Sequence, residues 1–276
     1  RIGSVKATAG TYYNGWLKNL TLKKDTTTVL DMRGNTTATS PLGPAIYCST
    51  NNTDEVSVDT HSDFNVGTGD FTAEVFLNPS VWSGGVSGKA FHIFTIGNWT
   101  TSNGILVTFN PNYANKFLLY YSNTFTGFGS FTNPPGNKWC HFAIVRTSGT
   151  TKCYLDGRNV TGDGVATLNG YNIQTASGYG IKFGKNNFGS PAYREFRFSN
   201  VARYSDNFTP SQTGFTVDAN TKLYIKGDEN NGATTFVDQT GKTVTTKGDT
   251  KIKYTEDYRS CIFKDETGKF PYPQGS

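Results

Sequence analysis

The stretch that decides the fold is NKWCHFAIVRTSGTTKCYLDGR, residues 137–158. It sets a cysteine beside a histidine, with a second cysteine a few residues on. Three readings compete: a catalytic dyad, a redox or metal site, or a hairpin. Successive residues of a strand point to opposite faces of the sheet. Alternation puts Trp139, His141, Ala143 and Val145 on one face, and Cys140, Phe142, Ile144 and Arg146 on the other. Cys140 and His141 therefore face apart and form no dyad. The TSGTT connection, residues 147–151, folds the two halves into a hairpin. Pairing Arg146 near Lys152 sets Val145 opposite Cys153 and leaves Cys140 too far along the strand for a Cys140–Cys153 disulfide.

The rest of the chain repeats this pattern. Period-2 alternation recurs in FTAEVFL (71–77), AFHIFTI (90–96), ILVTF (105–109), KFLLYY (116–121), GIKFG (180–184) and YREFRFS (193–199). With the two strands of the hairpin these make eight short strands, separated by Gly, Asn, Pro and Ser clusters, and no amphipathic helix stands out. Composition agrees. Aromatic residues make up 14% of the chain, with 20 Phe and 15 Tyr against one Met, and there are 31 Gly. Aromatic and β-branched residues favour strands, while Gly and Asn supply turns. The expected fold is all-β, a two-sheet antiparallel jelly-roll sandwich.

Several classes fall away. The net charge of +5 is mild for 276 residues, and the Lys and Arg are scattered among acidic residues, so no nucleic-acid stripe is present. No apolar run approaches the roughly 20 residues of a membrane helix. The chain starts at Arg1 without a leader, as a processing product or the edge of a longer chain would. Cys48, Cys140, Cys153 and Cys261 show no C-x-x-C spacing, and are expected to be buried free thiols.

An internal echo divides the chain. NGWLKNLTLKKDTTTVLDMRGNTT (14–37) resembles AYREFRFSNVA (192–202) followed by TKLYIKGDENNGATT (221–235), and AIYCSTNNTDEVSVD (45–59) echoes CIFKDETGKFPYPQ (261–274). Residues 1–44 are thus read as the end of a preceding repeat or as strands completing the sandwich. Residues 45–215 are the sandwich itself, and 216–276 a further partial repeat or a small β subdomain.

Three pieces carry a family resemblance. DFTAEVFLNP (70–79) and the pair KWCHFAIVR (138–146) and KCYLDG (152–157) resemble the signature strands of the laminin G-like, concanavalin A-like lectin/glucanase superfamily. REFRFSNVARYSDNFTP (194–210), followed by TKLYIKGDENNGATTFVDQTG (221–241), is similar to the closing passage of bacteriophage virion versions. The resemblance covers roughly residues 45–240 and implies the same two-sheet jelly roll. The glucanase branch carries an E-x-D-x-E strand whose carboxylates share one face, suited to retaining hydrolysis. Here Glu74 is followed on its face by Phe76 and Asn78, and Glu195 by Arg197, so that pattern is absent and no enzyme is expected. Glu74 is read as a solvent-facing or ladder-bonded residue.

Other chemistry finds little footing. His61, His92 and His141 have no metal-ligand spacing and no nucleophile motif. GGVSGKA (84–90) fails as a phosphate loop, because Ser83 stands where the first Gly belongs and Ala90 where Ser or Thr belongs. No cofactor is expected. Calcium, which some laminin G-like domains bind, would draw on LDGRNVTGDG (155–164) and KGDENNG (226–232), although Asp156-Gly157 equally suits a tight turn.

Binding remains. Sugars stack on exposed aromatic rings while neighbouring Asn and Asp bond their hydroxyls. The carbohydrate-binding candidates are Trp82, Trp99 with Asn98 and Asn103, Tyr113, and Phe128 in the NTFTGFGSFTN connection beside Phe125 and Phe131. Trp16 and Trp139 fall on strands and are read as core. The expected protein is an extracellular virion component that binds host surface polysaccharide. The alternative is a structural capsid, tail or fibre component whose aromatic loops pack on neighbouring virion subunits. Either way a homo-oligomer or larger assembly is expected, without nucleic acid or membrane insertion. A secreted cellular adhesion domain, using sequons at Asn19, Asn51, Asn98, Asn159 and Asn207, is the third reading.

Overall fold

A computed structural model describes residues 20–24, 27–32, 44–49, 53–78, 91–101, 103–110, 116–130, 139–184, 191–211 and 213–253. Residues 1–39 and 40–276 are two separate units. In the first, β1 (Leu20–Lys24) pairs antiparallel with β2 (Thr27–Met32).

The second unit is built of β3 (Ala45–Tyr47), β4 (Glu55–Val58), β5 (Phe71–Asn78), β6 (Phe91–Ile96), β7 (Ile105–Asn110) and β8 (Lys116–Tyr121). It continues with β9 (Thr124–Ser130), β10 (Cys140–Thr147), β11 (Thr150–Leu155), β12 (Arg158–Asn159), β13 (Ile181–Phe183) and β14 (Ala192–Ser199). Last come β15 (Thr221–Ile225), β16 (Thr245–Lys247) and β17 (Lys251–Lys253). One sheet runs β12-β11-β10-β5-β14-β3-β17, with β15 paired to the end of β14 that β3 leaves open. The other runs β16-β4-β13-β6-β7-β8-β9. All pairings are antiparallel, and the two sheets make a concanavalin A-like sandwich.

The alternation read from the sequence holds on β5, where Phe71, Ala73, Val75 and Leu77 are all fully buried between the sheets. Phenylalanines bridge the layers: Phe142 packs on Phe117 at 4.9 Å and on Phe94 at 6.1 Å, and Phe196 packs on Phe183 at 5.1 Å. The other face of β5, β10 and β14 is covered by the segment after β14. Ala202, Tyr204 and Phe208 pack there on Ala143, Val145 and Tyr154.

Two local features depart from the sequence reading. The β10–β11 turn has only two residues, Ser148 and Gly149, both at positive φ (48° and 80°), the geometry whose twist matches a hairpin. Thr147 and Thr150 therefore pair, and Ile144 rather than Val145 faces Cys153. In β14 an extra residue sits between Arg194, opposite Phe76, and Arg197, opposite Glu74. This bulge holds Glu195 at a φ of 54° and turns Arg197 outward over Glu74.

Cys48, Cys140 and Cys153 are free and buried, as expected; Cys261 lies outside the described residues. Among the described residues, Cys140 Sγ meets the Leu77 carbonyl at 3.5 Å. Burial, aided by Asp54, pushes the Cys48 thiol up to about 12, and burial raises Cys140 and Cys153 well above the usual thiol range. Since thiolates are the reactive form, iodoacetamide should leave these three cysteines unmodified in native protein and label all three in denaturant. Mass mapping reads the outcome, and native labelling of any of them would contradict this packing.

Candidate functional site

Arg146 lies on the core-facing side of β10, with Cys140, Phe142 and Ile144, and is fully buried. Its guanidinium donates to four backbone carbonyls: Nε to Gly69 (2.7 Å), Nη2 to Gly67 (2.6 Å), and Nη1 to Tyr171 (2.6 Å) and Leu168 (3.3 Å). The ring of Phe71 lies 5.1 Å beneath it. Burial lowers the Arg146 pKa, and the neighbouring Asp70 works against that. One side chain thus fixes two loops at one end of the sandwich, residues 67–69 and residues 168–171.

The second loop passes this order on. The Tyr171 hydroxyl donates to the Gly104 carbonyl (3.2 Å), lies 3.5 Å from that of Thr101, and meets the Ser122 hydroxyl at 3.3 Å. It therefore joins the loop from Gly97 to Gly104 to the β8–β9 turn. That turn, Ser122 and Asn123, returns an N–H from Asn123 to the Trp99 carbonyl at 3.0 Å. The loop closes so tightly that a Cβ on Gly104 would lie 2.3 Å from the Asn98 backbone, and one on Gly97 would lie 2.3 Å from the Gln174 carbonyl.

On this support stands a file of three rings. Trp99 meets Tyr120 edge-on at 5.4 Å, and Tyr120 lies 5.3 Å from Phe125. Trp99 and Tyr120 are half-buried, and Phe125 is 46% exposed. Exposed Thr100 and Thr101 follow Trp99 in the chain, and exposed Asn123 and Thr124 lie between Tyr120 and Phe125. Asn98 Oδ1 accepts from the Thr100 N–H (3.1 Å) and hydroxyl (2.7 Å), so this side chain shapes the turn. The Asn103 carbonyl accepts from Gln174 N–H at 2.9 Å.

The structure thus brings Trp99, Asn98 and Asn103 together and removes Phe128. NTFTGFGSFTN is largely strand β9 rather than a loop, and its alternation turns Phe125 outward and Phe128 inward. Phe128 is 2% exposed and stacks on Phe117 at 5.5 Å. Trp82, Tyr113, Phe131 and Trp16 lie outside the described residues, and Trp139 is half-buried rather than core. Tyr120 was missed, although alternation in KFLLYY already sets Leu118 and Tyr120 opposite Phe117, Leu119 and Tyr121. The Asp156-Gly157 pair forms the β11–β12 turn, with φ of 49° and 74°, and Asp156 Oδ1 accepts the His141 N–H at 2.8 Å. Among the described residues, no three His, Cys, Asp or Glu side chains converge as metal ligands.

Glu74 is not solvent-facing; it has no exposed surface at all. Alternation gives its face correctly but does not reveal the segment folded over that face. Its Oε1 accepts from Arg197 Nη2 (2.6 Å) and Nε (2.8 Å), and its Oε2 from Tyr204 hydroxyl (2.9 Å) and His141 Nε2 (3.1 Å). Arg197 also lies 4.2 Å over the Phe215 ring. Glu195 is nearly buried and bonds the Tyr224 hydroxyl and the Phe215 N–H. Glu74 and Glu195 therefore hold the covering segment and the β14 bulge, and both Glu74 oxygens are bonded to protein side chains.

Residues 50–214, more than half of the chain, match a laminin G-type profile of the concanavalin A-like lectin/glucanases superfamily, and the chain belongs to that superfamily. Among solved structures, a Bacteroides ovatus ATCC 8483 protein described as carbohydrate binding aligns with 78% of this chain and 60% of its own, at 17% identity and a TM-score of 0.58. The binding domain of Paraclostridial Mosquitocidal Protein 1 aligns over 68% and 49%, at 14% identity and 0.45. Tailspike protein 2 of Escherichia coli O157:H7 bacteriophage CAB120 aligns over 60% and 25%, at 16% and 0.42. The chain spans less than two-thirds of each of these proteins, and at such identities the likeness is one of fold. No curated protein matches it.

The Glu74 network makes a prediction. Burial alone would raise this carboxyl, but His141 and Arg197 together hold it below its ordinary value. A lowered folded value means that the stabilisation is complete above the unfolded carboxyl's pKa and is lost as pH falls through the folded one. Glu74→Gln leaves Arg197 without its counter-charge and should cost about 3 kcal/mol at neutral pH. In urea titrations its stability should also fall less steeply than the wild type's below about pH 4. Equal slopes would mean that Glu74 binds its proton equally well in the folded and unfolded protein, so that His141 and Arg197 do not hold its pKa down.

Proposed function

We propose that this chain is a non-enzymatic, glycan-binding sandwich on the outside of a bacteriophage particle, holding host surface polysaccharide against Trp99, Tyr120 and Phe125. The observation that carries the reading is the ring file itself. Three aromatic side chains, Trp99 on a tied-down loop and Tyr120 and Phe125 on the paired strands β8 and β9, stand next to one another and partly open to solvent. Ring faces accept the apolar C–H patches of a sugar, and the surrounding polar groups bond its hydroxyls. Because the loops are already ordered, little conformational entropy is lost on binding.

The superfamily includes lectins, and the Bacteroides ovatus structure that shares the fold is described as carbohydrate binding. Both support the ligand class. The virion location rests on the phage-like closing passage at residues 194–241, and assembly with other virion subunits belongs to the same reading. Glu74, the carboxylate on the strand that comes nearest to the glucanase E-x-D-x-E pattern, serves packing here, which supports recognition over hydrolysis.

Fluorescently labelled protein should bind intact host bacteria saturably, with extracted surface polysaccharide as competitor. Trp99→Ala should weaken that binding at least about tenfold, the scale of one lost stacking contact, without lowering the yield of folded protein. Absence of binding by a chain that still assembles on particles would replace this reading with the architectural one, in which the rings pack on neighbouring subunits.

A further inference from the structure

A second polar feature lies at the same end of the sandwich. Ser62, Asp63, Asn65, Val66, Gly69, Asp70, Asn200 and Lys222 line a cleft of about 370 Å³, within the size range of ligand sites. Its wall is rigid. Arg146 holds the carbonyls of Gly67 and Gly69, Asp70 Oδ1 accepts the Ser148 N–H at 2.8 Å, and Phe64 is buried edge-on against Phe198 at 5.8 Å.

The lining discriminates between ligand classes. A calcium ion wants six to eight oxygens. Here the Gly67 and Gly69 carbonyls are taken by Arg146, and the Val66 carbonyl by the Gly69 N–H at 2.8 Å. Asp63 is paired with the Lys242 ammonium at 2.9 Å, and Lys222 adds a second cation. A neutral polyhydroxylated ligand suits this mixture of donors and acceptors. The Ser62 hydroxyl, the Asn200 side-chain amide and the second carboxylate oxygen of Asp70 are not engaged within the described structure.

The cleft is joined to the ring file by one short segment. The Tyr171 hydroxyl holds the Gly97–Gly104 loop, and Ile173 exchanges two backbone bonds of 2.9 Å with Gly67. Gln174 N–H bonds Asn103, and Thr175 donates its N–H (2.7 Å) and hydroxyl (3.1 Å) to Asn65 Oδ1. Tyr171 and Thr175 are at most about 14 Å apart along the chain. Between the two features Asn172 and Gln174 are exposed.

We propose that the cleft is a second subsite for the same ligand, so that one glycan chain longer than a disaccharide runs from the aromatic file, past Gln174 and Asn172, into the cleft. The inference rests on the glycan reading above and deepens it: the ligand is a polymer, and affinity depends on its length. The second contact forms within a complex already held at the rings, so it adds affinity without a second encounter.

The test uses the whole chain, a panel of bacterial surface polysaccharides, and size-fractionated fragments of whichever one binds. Calorimetry should show long fragments binding about tenfold tighter than the shortest ones, the gain expected of one well-made polar contact. The Ser62→Ala/Asn200→Ala variant changes two exposed side chains that make no hydrogen bond or ion pair among the described residues. It should lose the length preference and bind the shortest fragments like the wild type, whereas Trp99→Ala should weaken all lengths. A double variant that keeps the full length preference overturns the cleft subsite and leaves the ring file standing. Unchanged binding by Trp99→Ala overturns the ring file instead, and no binding to any polysaccharide overturns both.

Discussion

The end of the sandwich that matters here depends on one buried cation. Arg146 points into the space between the sheets, where an unpaired charge would be very costly. It is tolerated because four carbonyls from two loops converge on its guanidinium. Hydrogen bonds to a charged donor contribute about 1.5–3 kcal/mol each, and the fork geometry of guanidinium fixes direction as well as distance. The strand thus sets these loops through Arg146, while Gly67 and Gly170 at positive φ (57° and 67°) allow their turns. Loop 67–69 becomes one wall of the polar cleft. Loop 168–171 carries Tyr171, whose hydroxyl sets the Trp99 loop and the β8–β9 turn.

A second charge system works on the opposite face of the same sheet. Glu74, Arg197, His141 and Tyr204 are held in one network beneath the segment that follows β14. The bulge at Glu195 is what aims Arg197 at Glu74. A carboxylate on this strand of a lectin/glucanase sandwich invites a catalytic reading, yet its oxygens are consumed by packing partners. The two charge systems thus divide the labour: one closes the outer face of the sheet, the other orders the open end.

Much of this was legible in the sequence because period-2 alternation is a strong signal when one face is buried. It placed Phe71, Ala73, Val75 and Leu77 together, separated Cys140 from His141, and put Arg146 on one face with Phe142 and Ile144, although reading Trp139 as core favoured the other face. What it left out was tertiary. Residues 200–216 have no periodicity to announce that they cover Glu74. The Gly-rich run of β9 reads as a loop, because Gly127 interrupts the apolar pattern and Phe125 and Phe128 are three residues apart. A two-residue turn in place of the five-residue TSGTT connection moved the β10–β11 register by one residue. The candidate site was read in part: Trp99, Asn98 and Asn103 share a loop, but Tyr120 and Phe125 join Trp99 only through strand pairing.

The most direct measurement is hydrogen exchange of the whole chain with and without saturating host polysaccharide. If the end of the sandwich ordered by Arg146 is the recognition surface, protection should rise in peptides covering residues 97–101, 122–125 and 171–175, and in 62–70 with the longer ligand. Protection confined to the opposite end of the sheets, or to the segment over Glu74, would contradict the account.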